Sequence, residues 1–175
     1  VGGPAELAGS LRSALEHAGQ LVEATAGPSL PPGGPWQHVI SLAALEVPAL
    51  GQSPDQQALE FAWRAAQLVQ GLVSAPGPRP GLWLITRGAV APQGEAPSAA
   101  PQAVLWGLGR TLRNEHPELA CRLVDLDPSW TGGERLAAEL LAGSEEAQVC
   151  LRRDGRFAAR LSAGLEGADV VIDSG

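Results

Sequence analysis

Four short apolar runs, each bounded by proline, glycine or a helical stretch, limit what this chain can fold into. They read HVISLAAL at 38–45, GLWLITR at 81–87, CRLVDL at 121–126 and AQVCLRR at 147–153. Near-continuous apolar runs of this length suit strands covered on both faces. Helical patterns lie between and before them. At 5–18, Leu7, Leu11 and Leu15 recur every fourth position, Ala18 extends their face, and Pro4 suits a first helical turn. Ser53-Pro54-Asp55 opens a second helix, and Leu59, Ala62, Trp63, Ala66, Val69 and Val73 are expected to form its inward stripe. Further helices are predicted at 102–115 and at 133–142, the latter with Leu136, Leu140 and Leu141 inward. Strands alternating with helices predict an α/β fold, a mostly parallel sheet with helices on both faces.

The punctuation between these elements is equally readable. GPSLPPGGP at 27–35, residues 46–54, APGPRPG at 75–81 and residues 91–101 are loops. Residues 20–26 are a candidate short strand, and 147–153 with 156–161 a hairpin turning on Asp154-Gly155. Gly107 and Gly109 cost the third helix about 1 kcal/mol each against alanine, which suggests that a neighbouring backbone packs tightly there. His116-Pro117 stops that helix.

The chain starts on a helix and ends on an apolar run, VVID at 170–173. Joined, the ends read as strand, glycine-rich turn and helix, so residues 170–173 are expected in the place of a first strand, with the termini close. The alternative is that the tail is an ordinary linker or an extra strand. The missing initiator Met suggests an excised piece of a longer polypeptide. Across the junction Gly175, Gly2 and Ala5 fit G-x-G-x-x-A, with Gly3 beside them, a weak dinucleotide-binding alternative because the pattern spans two chain ends.

Composition excludes several chemistries. All twelve basic residues are Arg, and the chain has no Lys, Tyr or Met. A P-loop lysine, a Schiff base and a Tyr–Lys reductase pair are therefore impossible within it. A net charge of −7 with scattered arginines argues against nucleic acid. Arg152, Arg153 and Arg156 are expected along a solvated strand or turn. No apolar run reaches the length of a membrane span, and no signal peptide is present. Cys121 and Cys150 are too few and too far apart for a disulfide framework or zinc site, and read as buried thiols of a reducing cytoplasm.

The most specific stretch is PQAVLWGLGRTLRNEHPELACRLVDLD at 101–127, preceded by GLWLITRGAV at 81–90. It carries Thr86, Arg87, Gly88 and Ala89 at a strand end, then Trp106, Gly107, Leu108, Gly109 and Arg110 on a helix. Glu115, His116 and Pro117 follow, then Val124, Asp125 and Leu126 on the next strand. These motifs resemble the structural, non-catalytic subdomain of ketoreductases in modular polyketide synthases. The resemblance covers roughly residues 1–161 and leaves 162–175 as a tail. It implies a truncated Rossmann-like fold without chemistry of its own, beside a catalytic subdomain that holds NADPH and reduces the β-keto group of a polyketide on an acyl carrier protein. The implied partners are that subdomain and the neighbouring synthase domains. The family's catalytic Ser, Tyr and Lys have no matching positions here, so no catalytic, metal or cofactor residue is carried over. The tail does not read into a catalytic subdomain, so an inserted enoylreductase or a degenerate reductase also fits.

Other candidates are weighed on residue chemistry alone. Glu115 beside His116 could do acid–base work, but a His at a helix C-terminus is also favourable to the dipole. Asp125 and Asp127 could bind a metal or act as acid and base, yet no third ligand is evident, and a solvated strand end or cap is the simpler reading. Asp173-Ser174 lacks the context of a serine nucleophile. Trp106 is expected in the core and Arg110 at an interdomain or helix-end contact. Trp36, Trp63, Trp83 and Trp130 are expected in the core or at its rim. The stretch 134–146 reads as a wetted acidic face.

Overall fold

A computed structural model describes residues 4–25, 34, 36–46, 49–94 and 96–160. Within them run α1 (Pro4–His17), β1 (His38–Ser41), α2 (Pro54–Ser74), β2 (Gly81–Arg87), α3 (Val104–Glu115), β3 (Arg122–Leu126), α4 (Glu134–Leu141), β4 (Gln148–Arg152) and β5 (Gly155–Ala158). The sheet order is β1-β2-β3-β4-β5. The first four strands are parallel and β5 returns antiparallel to β4. The mostly parallel Rossmann-like sheet expected from the alternation is present.

Strand alternation sorts the apolar side chains into two layers. Leu82 and Leu84 of β2 and Leu123 of β3 pack with Leu68, Val69 and Leu72 of α2 and with Trp106 and Leu112 of α3. Trp83, Ile85, Val124 and Leu126 point the other way, onto Leu7, Leu11 and Leu15 of α1 and Leu136 of α4. Helices therefore cover both faces. Strand order follows chain order throughout, yet α2 and α3 lie on one face and α4 on the other. The β3–α4–β4 crossover is consequently of opposite hand to the two before it, an exception to the usual uniform handedness of parallel connections.

Local chemistry sets the boundaries. Ser53 caps α2: its hydroxyl accepts from Gln56 N at 3.3 Å, while Gln56 Oε1 accepts from Ser53 N at 2.9 Å. This is the reciprocal capping box. Helix α1 ends in a Schellman turn, with Gln20 N donating to Leu15 O, Gly19 N donating to Glu16 O, and Gly19 at φ +80°.

Five expectations are corrected. Residues 20–25 form no strand and Leu21 is 83% exposed, because no strand pairs with them and an unpaired strand has nothing to hold it. β1 stops at Ser41, and the rest of HVISLAAL turns into a 3-10 segment at Ala43–Leu45, where alanines supply little strand preference. Helix α2 buries Phe61, Ala65, Leu68 and Leu72; of the expected stripe Val69 is buried with them, but Leu59 and Trp63 stand 71% and 61% exposed. The hairpin turns on Arg153-Asp154, since Gly155 already pairs with Arg152. In α4, Leu141 is exposed while Glu139 is buried, its carboxylate held by Arg156 at 2.7 and 2.8 Å.

Gly109 is explained by the sheet beneath it: a Cβ there would come within 2.8 Å of Leu123 Cδ1. The neighbour is a side chain and not the backbone expected. Gly107 has nothing within 4 Å of such a Cβ. Residues 170–173, with Gly2, Gly3 and Gly175, lie outside the described residues, as does 161–175 altogether.

Candidate functional site

In open α/β sheets ligands bind beyond the carboxyl ends of the strands. In this chain those ends carry a buried polar node built from three adjacent strands. Thr86, Asp125 and Cys150 stand side by side in the register of β2, β3 and β4. All three face the α3 layer, with Arg152 two residues beyond Cys150 on the same face.

Asp125 is fully buried. Its Oδ1 accepts from Thr86 Oγ1 at 2.6 Å and from Ala89 N at 2.9 Å, and its Oδ2 accepts from Arg152 Nη2 at 2.5 Å. Trp106 closes the node from α3, donating Nε1–H to Thr86 Oγ1 at 3.1 Å. Arg152 is 8% exposed and also donates to Asp125 O at 3.0 Å and Val90 O at 2.8 Å. A charge removed from water is tolerated only when paired and hydrogen-bonded, and both charges of this pair are. The expectations of a solvated Asp125 and a solvated Arg152 are both corrected: the doubly covered sheet buries both side chains.

The node fixes the loop that follows β2. Ala89 N and Val90 O are bound by Asp125 and Arg152, Gly88 N donates to Leu126 O, and Ala99 N donates back to Gly88 O. Gly88 has φ +68°, a conformation that side-chain-bearing residues rarely adopt. Thr-Arg-Gly-Ala is therefore a strand end turned sharply and tied to the neighbouring strand.

Asp127 is a separate group. Burial pushes its carboxyl up, but the side-chain and backbone hydrogen bonds from Ser129, the Arg153 N–H and the Arg153 charge together hold it below its usual range. Ser129 N donates to it at 2.8 Å, a short turn beyond β3. The cap reading of Asp127 fits this geometry.

The other candidates are not brought together. His116 lies before the amino end of β3, whereas Asp125 is near its carboxyl end, so the strand itself separates them. His116 contacts Glu118 at 3.1 Å, at the surface. Arg110 donates to Gln148 Oε1 at 3.1 and 3.3 Å, a contact within the domain. Among the described residues no three His, Cys, Asp or Glu side chains are placed to hold a metal ion. Cys121 and Cys150 are both buried and are not joined in a disulfide, and burial pushes the Cys121 thiol up to about 11 against the opposing charge of Arg113. Trp83 is in the core beneath Arg122, whose guanidinium lies 4.9 Å from its ring centre. Trp130 carries Arg135 at 4.7 Å. Among the described residues no helix is long and apolar enough to cross a membrane.

Sequence reasoning missed the Asp125–Arg152 pair, though a signal existed. Asp125 sits between Val124 and Leu126 in a run read as covered on both faces, and such a carboxylate needs a buried partner. It named Arg87 only within a motif and did not foresee the state of its guanidinium. Burial pushes that guanidinium down, Glu6 partly opposes this, and Nε and Nη2 have no hydrogen-bond partner among the described residues.

Comparison with known proteins places this geometry. Residues 4–161 match the family model described as polyketide synthase extender module SpnB, Rossmann fold domain. The chain is 36% identical over 154 residues to erythronolide synthase EryA3 of Saccharopolyspora erythraea, covering 87% of this chain and 4% of that protein. It is 44% identical over 115 residues to a phenolphthiocerol/phthiocerol polyketide synthase of Mycobacterium tuberculosis, covering 62% of this chain and 5% of that one. A solved structure of A-type ketoreductases from a modular polyketide synthase superposes with TM-score 0.57 at 32% identity, over 75% of this chain and 28% of that chain. The chain thus spans about a twentieth of these curated relatives and under a third of the solved ketoreductase.

Proposed function

From the premise that this chain belongs to the Rossmann fold domain family of polyketide synthase extender modules, we propose that it serves as the non-catalytic half of a ketoreductase. In this reading it holds the fold of a catalytic subdomain that binds NADPH and reduces a β-keto group carried on an acyl carrier protein. Neighbouring synthase domains are its other partners.

The observation that carries the reading is the state of the strand ends. Where an active α/β domain leaves groups free for a ligand, the buried node of Thr86, Asp125, Arg152 and Trp106 is satisfied within itself, and the unpartnered nitrogens at these ends are those of the Arg87 guanidinium beside it, among the described residues. The chain also has no Lys or Tyr with which to reduce a ketone. The resemblance to a ketoreductase over 28% of its length supports a part whose chemistry lies elsewhere.

Calorimetric titration of the chain with NADPH tests this. The expected result is no heat at millimolar cofactor. Saturable binding at micromolar concentration would overturn the reading in favour of a dinucleotide module, and would direct mutagenesis to Gly2, Gly3 and Gly175.

A further inference from the structure

We propose that the outward face of α2, centred on Leu59 and Trp63, is the surface on which the remainder of the ketoreductase docks; this rests on the reading of the chain as one half of that enzyme. Helix α2 has two apolar stripes on nearly opposite sides. Phe61, Ala65, Leu68 and Leu72 face the core, while Leu59 and Trp63, one turn apart, are 71% and 61% exposed. An amphipathic surface helix needs one apolar stripe, and a helix apolar on both sides is one covered on both.

The exposed side is also unlike a wetted face in its charge. After Asp55 in the first turn, the exposed positions of α2 are Gln56, Leu59, Trp63, Gln67, Gln70, Gly71 and Ser74, with no charged residue. By contrast α1 exposes Glu6, Arg12, Glu16 and His17. Along its flank Glu60 and Arg64 pair with each other, and Arg64 also pairs with Glu46, while Asp55 stands at its edge, one turn before Leu59. An apolar centre with charge confined to a rim is the anatomy of a protein interface, in which Trp is the most enriched anchor. Adjacent α3 presents Gly107, exposed and with open space where a Cβ would be, so nothing among the described residues accounts for that glycine.

The occupant follows from the missing length. The matched ketoreductase chain is covered over 28%, so most of its mass lies outside this segment. In the matched structure that remainder belongs to the same chain as the matched segment. Among the described residues the α1/α4 layer offers it no comparable uncharged face.

Oxidative footprinting read residue by residue tests the proposal, comparing this chain alone with the intact ketoreductase that carries it. We expect Trp63 to be labelled at least about tenfold more slowly in the intact protein, a protection typical of a residue at the centre of a buried interface. Trp63→Gln is expected to lower the melting temperature of the intact ketoreductase and leave that of the isolated chain unchanged. Equal labelling of Trp63 in both, with protection on the α1/α4 face instead, would overturn the docking surface and leave the proposed function standing. No protection anywhere on the chain would overturn both. Protection of Trp63 in the isolated chain that grows with concentration would overturn the proposal by showing a second copy as the occupant.

Discussion

Asp125 is the residue whose loss should be felt most. Removing one partner of a buried, hydrogen-bonded ion pair leaves the other charge uncompensated, at a cost of about 3–5 kcal/mol. Asp125→Ala should lose about that much in urea unfolding, since it strands Arg152, Thr86 and Ala89 N together. The double variant Asp125→Leu with Arg152→Met should recover much of the loss, because an apolar pair carries no stranded charge. A full loss in the double variant would mean the pair fixes the fold and does not merely satisfy itself. Asp127 makes a smaller, pH-dependent contribution. Its carboxyl is held below the ordinary value of about 3.9 in the folded chain. The stability it brings is thus complete above that value and is lost as pH falls through the lower folded one. Asp127→Asn should flatten the decline of stability between roughly pH 5 and pH 2, as read from urea midpoints across that range.

At the scale of elements, the two α3 glycines separate two causes that the sequence alone presents as one. Gly107→Ala should stabilise the chain by about 0.5–1 kcal/mol, through helix propensity alone, as there is room for the methyl group. Gly109→Ala should destabilise it, because the methyl group would press into Leu123. Thermal melts of both variants check the pair. Strands β2, β3 and β4 were legible because burial on both faces leaves an apolar run that turns out as little else. Helix faces were harder. In α2 the Leu59–Trp63 and Phe61–Leu68 series keep the same helical spacing, so periodicity could not say which was inward. The site was half legible. The Thr86–Ala89 and Val124–Leu126 motifs stand out in sequence, but the Asp125–Arg152 pair joins residues 27 apart and exists only once the register of β3 and β4 is known.

At the scale of the whole molecule, one helix stands apart. The outward face of α2 is uncharged beyond its first turn and partly apolar, whereas α1, α4 and the neighbouring α3 all expose charge. All twelve basic residues are arginine in a chain of net charge −7, and several are engaged by specific carboxylates: Arg12 with Glu16, Arg152 with Asp125, Arg156 with Glu139 and Arg160 with Glu146. Positive charge is thereby dispersed into local pairs instead of gathering into a patch that would attract polyanions. The strand order has a consequence of another sort. Each strand lies beside the one translated immediately before it, so a nascent chain leaving the ribosome can add to its sheet one strand at a time, without waiting for a distant segment to be made. In relatives where the matched segment is about a twentieth of the polypeptide, that ordering would let this domain assemble without waiting for any later part of the chain, and shorten the time its growing edge stands open.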